Sequence, residues 1–414
     1  MLSRGCWAGR ETHVHGISDN MTQMNHGRSA VQRIIDGWLR AAIVLGAALL
    51  ITVGTVAARG AASTTTKRSA AAKRSSYCAD RRVAFTDPHA FVGITDAFVQ
   101  LGTPQYRDCS FGRMAADHIG YFRGALSWAG VESTPHHYVF AAMDGMVIQL
   151  AGHRMRFLPV FLSPPARLST APSKHRLAGM YPPAHPSQFG YFASLCVKRY
   201  GPGGTFWRAH PKLPYYPVRA WQIWNEPNLS SYWEPRPNPQ AYARLLRAGY
   251  RAIKRVDPHA VVVTAGIGPK ITFLTQLYRA GARGTFDALS VHGYALTPRG
   301  VLQRLQAARQ VMNRFGDRRK SLWMTEWGWA GGPPNPYIVN HAGQRANIAG
   351  FLKLVERYRA PLRLQALMYF NWRDMVLGPG PKSYWVYNLG LVTHNLQPKP
   401  ALAPFTLAAR RLDH

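Results

Sequence analysis

Along residues 83–414 the apolar positions fall into two alternating patterns. Short continuous apolar runs occur at 90–95 (AFVGIT), 119–128 (IGYFRGALSW), 155–162 (MRFLPVFL), 218–226 (VRAWQIWNE), 260–267 (AVVVTAGI), 286–294 (FDALSVHGY), 321–329 (SLWMTEWGW) and 364–372 (LQALMYFNW). Between them lie stretches whose apolar residues recur at helical spacing, such as 239–256, 271–282, 300–316 and 340–360. An apolar run without polar alternation reads as a strand covered on both faces. Such strands are parallel, and each needs a crossover helix to reach the next. Eight strand-then-helix units in this span predict an α/β fold, a (β/α)8 TIM barrel forming one catalytic domain. The alternative is a doubly wound open sheet. It requires a Gly-rich phosphate loop after the first strand, and GITDAFVQLG at 93–102 is not one.

The N-terminal part reads differently. Residues 41–58 (AAIVLGAALLITVGTVAA) carry no charge over 18 positions, just enough for a helix to span a bilayer. The run is either a signal anchor or a signal peptide, with Val56 and Ala58 as the small residues before a cut. Basic residues flank both sides, so the charge rule for orientation gives no clear answer. The expected layout is an N-terminal cytoplasmic tail at 1–40, the apolar segment at 41–58, a flexible basic linker of Ala, Ser, Thr, Lys and Arg at 59–82, and the barrel at 83–414. Export follows, with the catalytic domain either membrane-anchored outside the cell or secreted.

Composition narrows the partners. The formal net charge is +32, spread mostly over the barrel rather than confined to a tail. That balance attracts anionic partners, or it reflects a compositional bias toward Arg and Ala. No RNA-recognition or helix-turn-helix signature is present, so a nucleic acid is not expected. An acidic wall or matrix polymer remains open. The four cysteines, Cys6, Cys78, Cys109 and Cys196, form no C-x-x-C pair, which argues against structural zinc. Cys78–Cys109 is the disulfide to test first. Adjacent His136 and His137 read as loop residues, since neighbours rarely chelate one ion together.

In a barrel of this kind functional groups lie at the C-terminal ends of strands. The second strand carries Arg123 and Trp128, and the fourth ends in Asn225-Glu226. The sixth ends in His292-Gly293-Tyr294, the seventh carries Glu326 and the eighth ends in Asn371-Trp372. Only six glutamates occur in the chain, and two of them sit at strand ends that can face one another. Two carboxylates across a pocket are what glycoside hydrolysis needs: one protonates the leaving oxygen, the other attacks the anomeric carbon or activates water.

The strands bearing WNEP, H-x-Y and TEWGW, with the terminal Trp, resemble the large clan of retaining (β/α)8 glycoside hydrolases with catalytic glutamates on strands four and seven. The run WNEPNLSSYWEPRPNPQAYARLLRAGYRAIKRVDPHA looks most like its family 39 and cellulase-like members, and the resemblance covers roughly 85–405. It implies Glu226 as acid/base, Asn225 as the contact to the sugar 2-hydroxyl and Glu326 as nucleophile. It further implies Tyr294 as a hydrogen-bond donor to Glu326, His292 in the site, Arg123 orienting Glu326, and Trp372 as the floor beneath the sugar. No metal or organic cofactor is called for. The expected partner is an oligo- or polysaccharide, neutral or anionic, bound by a monomer. To serve as the acid, Glu226 needs a pKa above its free value, which burial among Trp221, Trp224 and Trp233 and the nearby charge of Glu326 would supply. The loop at 229–239 would carry Trp233 into the cleft. Asn228-Leu-Ser is a glycosylation sequon, discounted because a glycan there would block the mouth. A different class of function stays possible: a barrel with little or no turnover that binds an anionic glycan or the cell wall. Transglycosylation would use the same residues as hydrolysis.

Overall fold

The computed structural model describes residues 91–172, 180–268, 271–332, 338–375 and 385–412. Eight strands appear where the apolar runs predict them: β1 Val92–Thr95, β2 Tyr121–Ser127, β3 Arg156–Leu162, β4 Ala220–Ile223, β5 Val261–Thr264, β6 Ala288–His292, β7 Ser321–Glu326 and β8 Leu364–Phe370. They close into one barrel in the order β1-β8-β7-β6-β5-β4-β3-β2. Every neighbouring pair is parallel. The strands are shorter than their apolar runs because the upper residues leave the ladder to build the mouth. After β4 the chain turns so sharply that Trp224 and Glu226 both have positive φ, 72° and 42°. Bulky residues rarely adopt that region, and where they do the strain tends to serve a site.

The crossover helices are α1 Pro104–Ala116, α2 Ala141–Gly152, α3 Pro186–Tyr200, α4 Pro239–Val256, α5 Ile271–Arg279, α6 Pro298–Arg314, α7 His341–Leu362 and α8 Leu402–Leu412. Their starts are written locally. Thr103, Asn238 and Thr297 each precede a proline and accept a hydrogen bond from a first-turn N–H, and Asn340 caps α7 in the same way. Proline in the first turn gives up a donor that would have been unsatisfied anyway, and the cap oxygen satisfies another. Two short strands, Ala330–Gly331 and Ile338–Val339, pair in parallel just beyond β7.

Apolar packing occurs on two levels. Between barrel and helices lies the large outer core, which contains Phe122, Phe161, Trp221 and Trp327. Inside the barrel Tyr121, Leu158, Ala220, Val263, Ala288, Trp323, Ala366 and Met368 form a separate plug, with the Tyr121 and Trp323 rings edge to face at 6.0 Å. The interior is therefore filled below the mouth, as a barrel of eight strands requires.

The expected tail, apolar segment and linker at 1–82 lie outside the described residues. Among those described, no helix is long and apolar enough to cross a membrane. Cys109 is disulfide-bonded and Cys196 is free and buried. Cys78, the expected partner of Cys109, lies outside the described residues.

Candidate active site

The site grows from the strand register. Side chains two apart on a strand share a face, so the residue two places beyond each plug residue also points into the barrel. Tyr121 is followed by Arg123, Ala220 by Gln222, Ala288 by Ser290 and Trp323 by Thr325. All four of these polar residues are buried, and they bond to one another across the interior. Arg123 donates through Nε to Gln222 Oε1 at 2.6 Å. Gln222 Nε2 donates to the Thr264 carbonyl at 2.9 Å and to Thr325 Oγ1 at 3.4 Å. Ser290 Oγ and Thr325 Oγ1 lie 2.6 Å apart. Thr95 Oγ1, from β1, donates to the Thr325 carbonyl at 2.7 Å.

The two glutamates sit above this polar layer. Arg123 donates through Nη1 to Glu326 Oε1 at 2.8 Å and through Nη2 to Asn225 Oδ1 at 2.7 Å. The Tyr294 hydroxyl donates to Glu326 Oε2 at 3.0 Å. His292 bridges the pair. Its Nδ1 is 2.8 Å from Glu226 Oε1 and 3.5 Å from Glu326 Oε2, and its Nε2 is 3.1 Å from Thr325 Oγ1. One atom from each of Glu226, His292 and Glu326 lies within 4.8 Å of the other two. The His292 ring can lie against the end of β5 because position 266 is glycine; a Cβ there would come within 1.9 Å of His292 Nε2.

Electrostatics separate the two carboxylates. Burial pushes Glu226 up to about 7, against the pull of Arg123 toward the charged form. Burial lowers His292 to about 4, Glu326 opposes that shift and Arg123 adds to it. His292 is thus neutral near pH 7 and carries one ring proton. The contacts close as one chain when Ser290 donates to Thr325, Thr325 donates to His292 Nε2, and His292 Nδ1–H donates to Glu226. Tyr294 is held well above its ordinary value, chiefly by burial and then by Glu326, so its phenol stays a donor. Glu326 has a guanidinium on one oxygen and that phenol on the other. The two carboxyl groups thus stand in different surroundings: burial favours the protonated form of Glu226, while Glu326 accepts from Arg123 and Tyr294.

Six of the seven expected site residues, Arg123, Asn225, Glu226, His292, Tyr294 and Glu326, meet in this cluster. Arg123 occupies the Asn225 carbonyl oxygen, which leaves the amide nitrogen to donate to a ligand hydroxyl. Trp372 does not join them. It is fully buried, with its backbone N–H donating to Asp96 Oδ2 at 3.1 Å and its backbone carbonyl accepting from Leu391 and Val392. Trp372 therefore braces the end of β8 against β1, and its ring presents no exposed face. A half-exposed aromatic residue beside the cluster is Trp385, whose ring meets that of Tyr294 at 5.3 Å. Trp233 is also not in an open cleft. It is 2% exposed and packs on Trp224 and Tyr242, so its role is to hold the loop after β4. Trp128 is likewise buried, stacked on Phe192 and donating to Glu132. The Asn228 carboxamide is buried and accepts from Gly268 N–H at 3.1 Å, which leaves no room for a glycan on it.

Sequence reasoning passed over Gln222, Ser290, Thr325 and Asp96. The signal for the first three was present: a polar residue in an apolar strand, in register with the plug. Asp96 is wholly buried, and burial raises its pKa. It caps the short helix after β1 with one oxygen and holds Trp372 and Arg373 N–H with the other.

Comparison with known proteins follows the same line. Residues 217–359 match a family described as glycosyl hydrolase catalytic core, a span that includes both Glu226 and Glu326. A curated β-xylosidase from Geobacillus stearothermophilus is 27% identical over 213 residues, covering 46% of this chain and 41% of that protein. The chain thus spans less than half the length of that relative. A family 39 glycoside hydrolase from Bacteroides cellulosilyticus WH2 superposes with a TM-score of 0.60 at 20% identity, covering 79% of this chain and 64% of that one. A monomeric β-xylosidase from Caulobacter crescentus CB15 gives 0.58 at 17% identity, covering 79% and 69%. By fold and by its matched catalytic core, the chain is similar to the (β/α)8-barrel glycoside hydrolases, with family 39 members among its structural neighbours.

Proposed function

We propose that this chain is a retaining glycoside hydrolase acting on β-linked oligo- or polysaccharides, with Glu226 as acid/base and Glu326 as nucleophile. The observation that carries the reading is the approach of a Glu226 and a Glu326 oxygen to within 4.8 Å, with His292 between them. Retaining enzymes hold their carboxyl groups about 5–5.5 Å apart, whereas inverting ones leave about 6.5–9.5 Å for a water. In the first step Glu326 attacks the anomeric carbon as the glycosidic C–O bond breaks, and the Glu226 proton passes to the leaving oxygen. In the second step Glu226 takes a proton from water, the hydroxide attacks the same carbon, and the ester bond to Glu326 opens. Asn225 would donate to the 2-hydroxyl, and Trp385 offers an aromatic face at the mouth.

The test is a panel of β-glycans and aryl β-glycosides with wild type, Glu226→Gln and Glu326→Gln in parallel. Hydrolysis by the wild type alone supports the assignment, and no hydrolysis by any of the three overturns it. The net charge of +32 favours one second reading, a barrel that retains an anionic glycan without cleaving it. Its affinity would then fall steeply with salt.

A further inference from the structure

The barrel end opposite the carboxylates carries arginines that catalysis does not use. Arg283 lies in the turn before β6, Arg318 and Arg319 in the turn before β7, and Arg363 immediately before β8, all four exposed. They form one surface. A Cβ at Gly316 would lie 2.9 Å from Arg283 Nη2, so Arg283 rests on the turn that bears Arg318 and Arg319. Buried Arg309 then ties that turn to the next. It donates to the Lys320 carbonyl at 3.0 Å and to the Leu362 carbonyl through Nε and Nη2 at 3.0 and 2.6 Å. Two acidic groups in these turns are already matched. Asp317 accepts from the Tyr278 hydroxyl and pairs with Lys320, and Asp287 pairs with Lys254. None of the four exposed arginines has a carboxylate partner among the described residues. Cations at helix C-termini are ordinarily explained by the helix dipole, which fades within the last turn. Arg283, Arg318 and Arg319 stand at least four residues beyond the ends of α5 and α6, past that influence.

We propose that this end of the barrel docks on the anionic phospholipid headgroups of a bilayer and holds the carboxylate mouth away from it. Charge complementarity is one argument. The other is the position of the chain: β1 begins at Val92 on this same end. Ahead of it in sequence lie the Lys- and Arg-rich 59–82 and the uncharged 41–58. Basic residues beside a bilayer gain about 1 kcal/mol each where the facing leaflet carries anionic lipid.

The test uses the full chain and vesicles of phosphatidylcholine with or without phosphatidylglycerol. The variant is Arg283→Gln with Arg318→Gln and Arg319→Gln. The control removes three exposed arginines near the other end, Arg236→Gln, Arg299→Gln and Arg345→Gln. Each cation at a lipid surface is worth roughly fivefold in affinity. The first triple should lose roughly a hundredfold on phosphatidylglycerol vesicles and nothing on pure phosphatidylcholine, while the control should lose less than about fivefold. Should the first triple melt early, the three single variants carry the same test at about fivefold each. Equal losses in both triples would mean diffuse net charge and would overturn the proposal. So would the absence of any gain from phosphatidylglycerol, or tighter binding to a DNA duplex that falls by the same factor in the first triple.

Discussion

Two rings of side chains stand one above the other inside this barrel, built by the same strands two residues apart. In the lower ring Tyr121, Ala220, Ala288 and Trp323 fill volume. In the upper ring Arg123, Gln222, Ser290 and Thr325 exchange hydrogen bonds. The lower ring excludes water by packing and is indifferent to direction. The upper ring is as deeply buried, yet each of its members must find a partner, because an unpaired polar group there would cost on the order of 1–3 kcal/mol. Burial therefore does opposite things at the two levels. Below, it stabilises the fold. Above, it fixes the orientation of Arg123 and His292 and raises the Glu226 carboxyl toward about 7. Altering the two rings should consequently harm different properties.

The largest effect is expected above the upper ring. Glu326→Gln keeps the size of the side chain and removes the attacking charge. Turnover on an aryl β-glycoside should drop on the order of 10⁴-fold with the melting temperature nearly unchanged; a loss below tenfold would remove Glu326 from the nucleophile role. In the lower ring the balance reverses. Trp323→Ala should cost about 3–5 kcal/mol of stability in a denaturant titration. The fraction still folded should keep its turnover, and a selective loss of turnover without loss of stability would break the contrast.

A smaller and sharper effect is expected where the rings meet the site. In the wild type the acid form of Glu226 is present below about pH 7 and disappears above it, so kcat/KM should decline as pH rises through that value. Thr325→Val removes the donor to His292 Nε2. The tautomer that accepts from protonated Glu226 then gains, the alkaline limb moves to higher pH, and kcat falls by roughly tenfold. Thr325→Ser should restore the wild-type profile. A pH profile identical in all three proteins would reduce Thr325 to a packing residue.

The sequence announced the barrel because parallel strands buried on both faces leave uninterrupted apolar runs. It pointed to the carboxylate pair because only six glutamates occur in the chain and two of them close apolar runs, in WNEP and TEWGW motifs that resemble those of a known clan. The upper ring was legible in principle: Gln222, Ser290 and Thr325 each sit two places after a plug residue. Extracting them needs the knowledge of which face points inward, and an all-apolar run withholds that. The burial of Trp372 was hidden for a related reason. Its place is set by a backbone hydrogen bond to Asp96, 276 residues earlier in the chain, and nothing in the local run LQALMYFNW encodes that contact. Trp233 carries the same lesson, since an aromatic residue in a loop points to a cleft only until Trp224 and Tyr242 are seen beneath it.

The central claim is the short separation of Glu226 and Glu326 as a working acid and nucleophile. Its most direct test is the anomeric configuration of the first-formed product, followed by proton NMR during hydrolysis of an aryl β-glycoside before mutarotation sets in. The β-anomer is expected first, with the α-anomer growing in later at the mutarotation rate. An α-anomer formed first would mean inversion, and would contradict the assignment of Glu326 as a nucleophile.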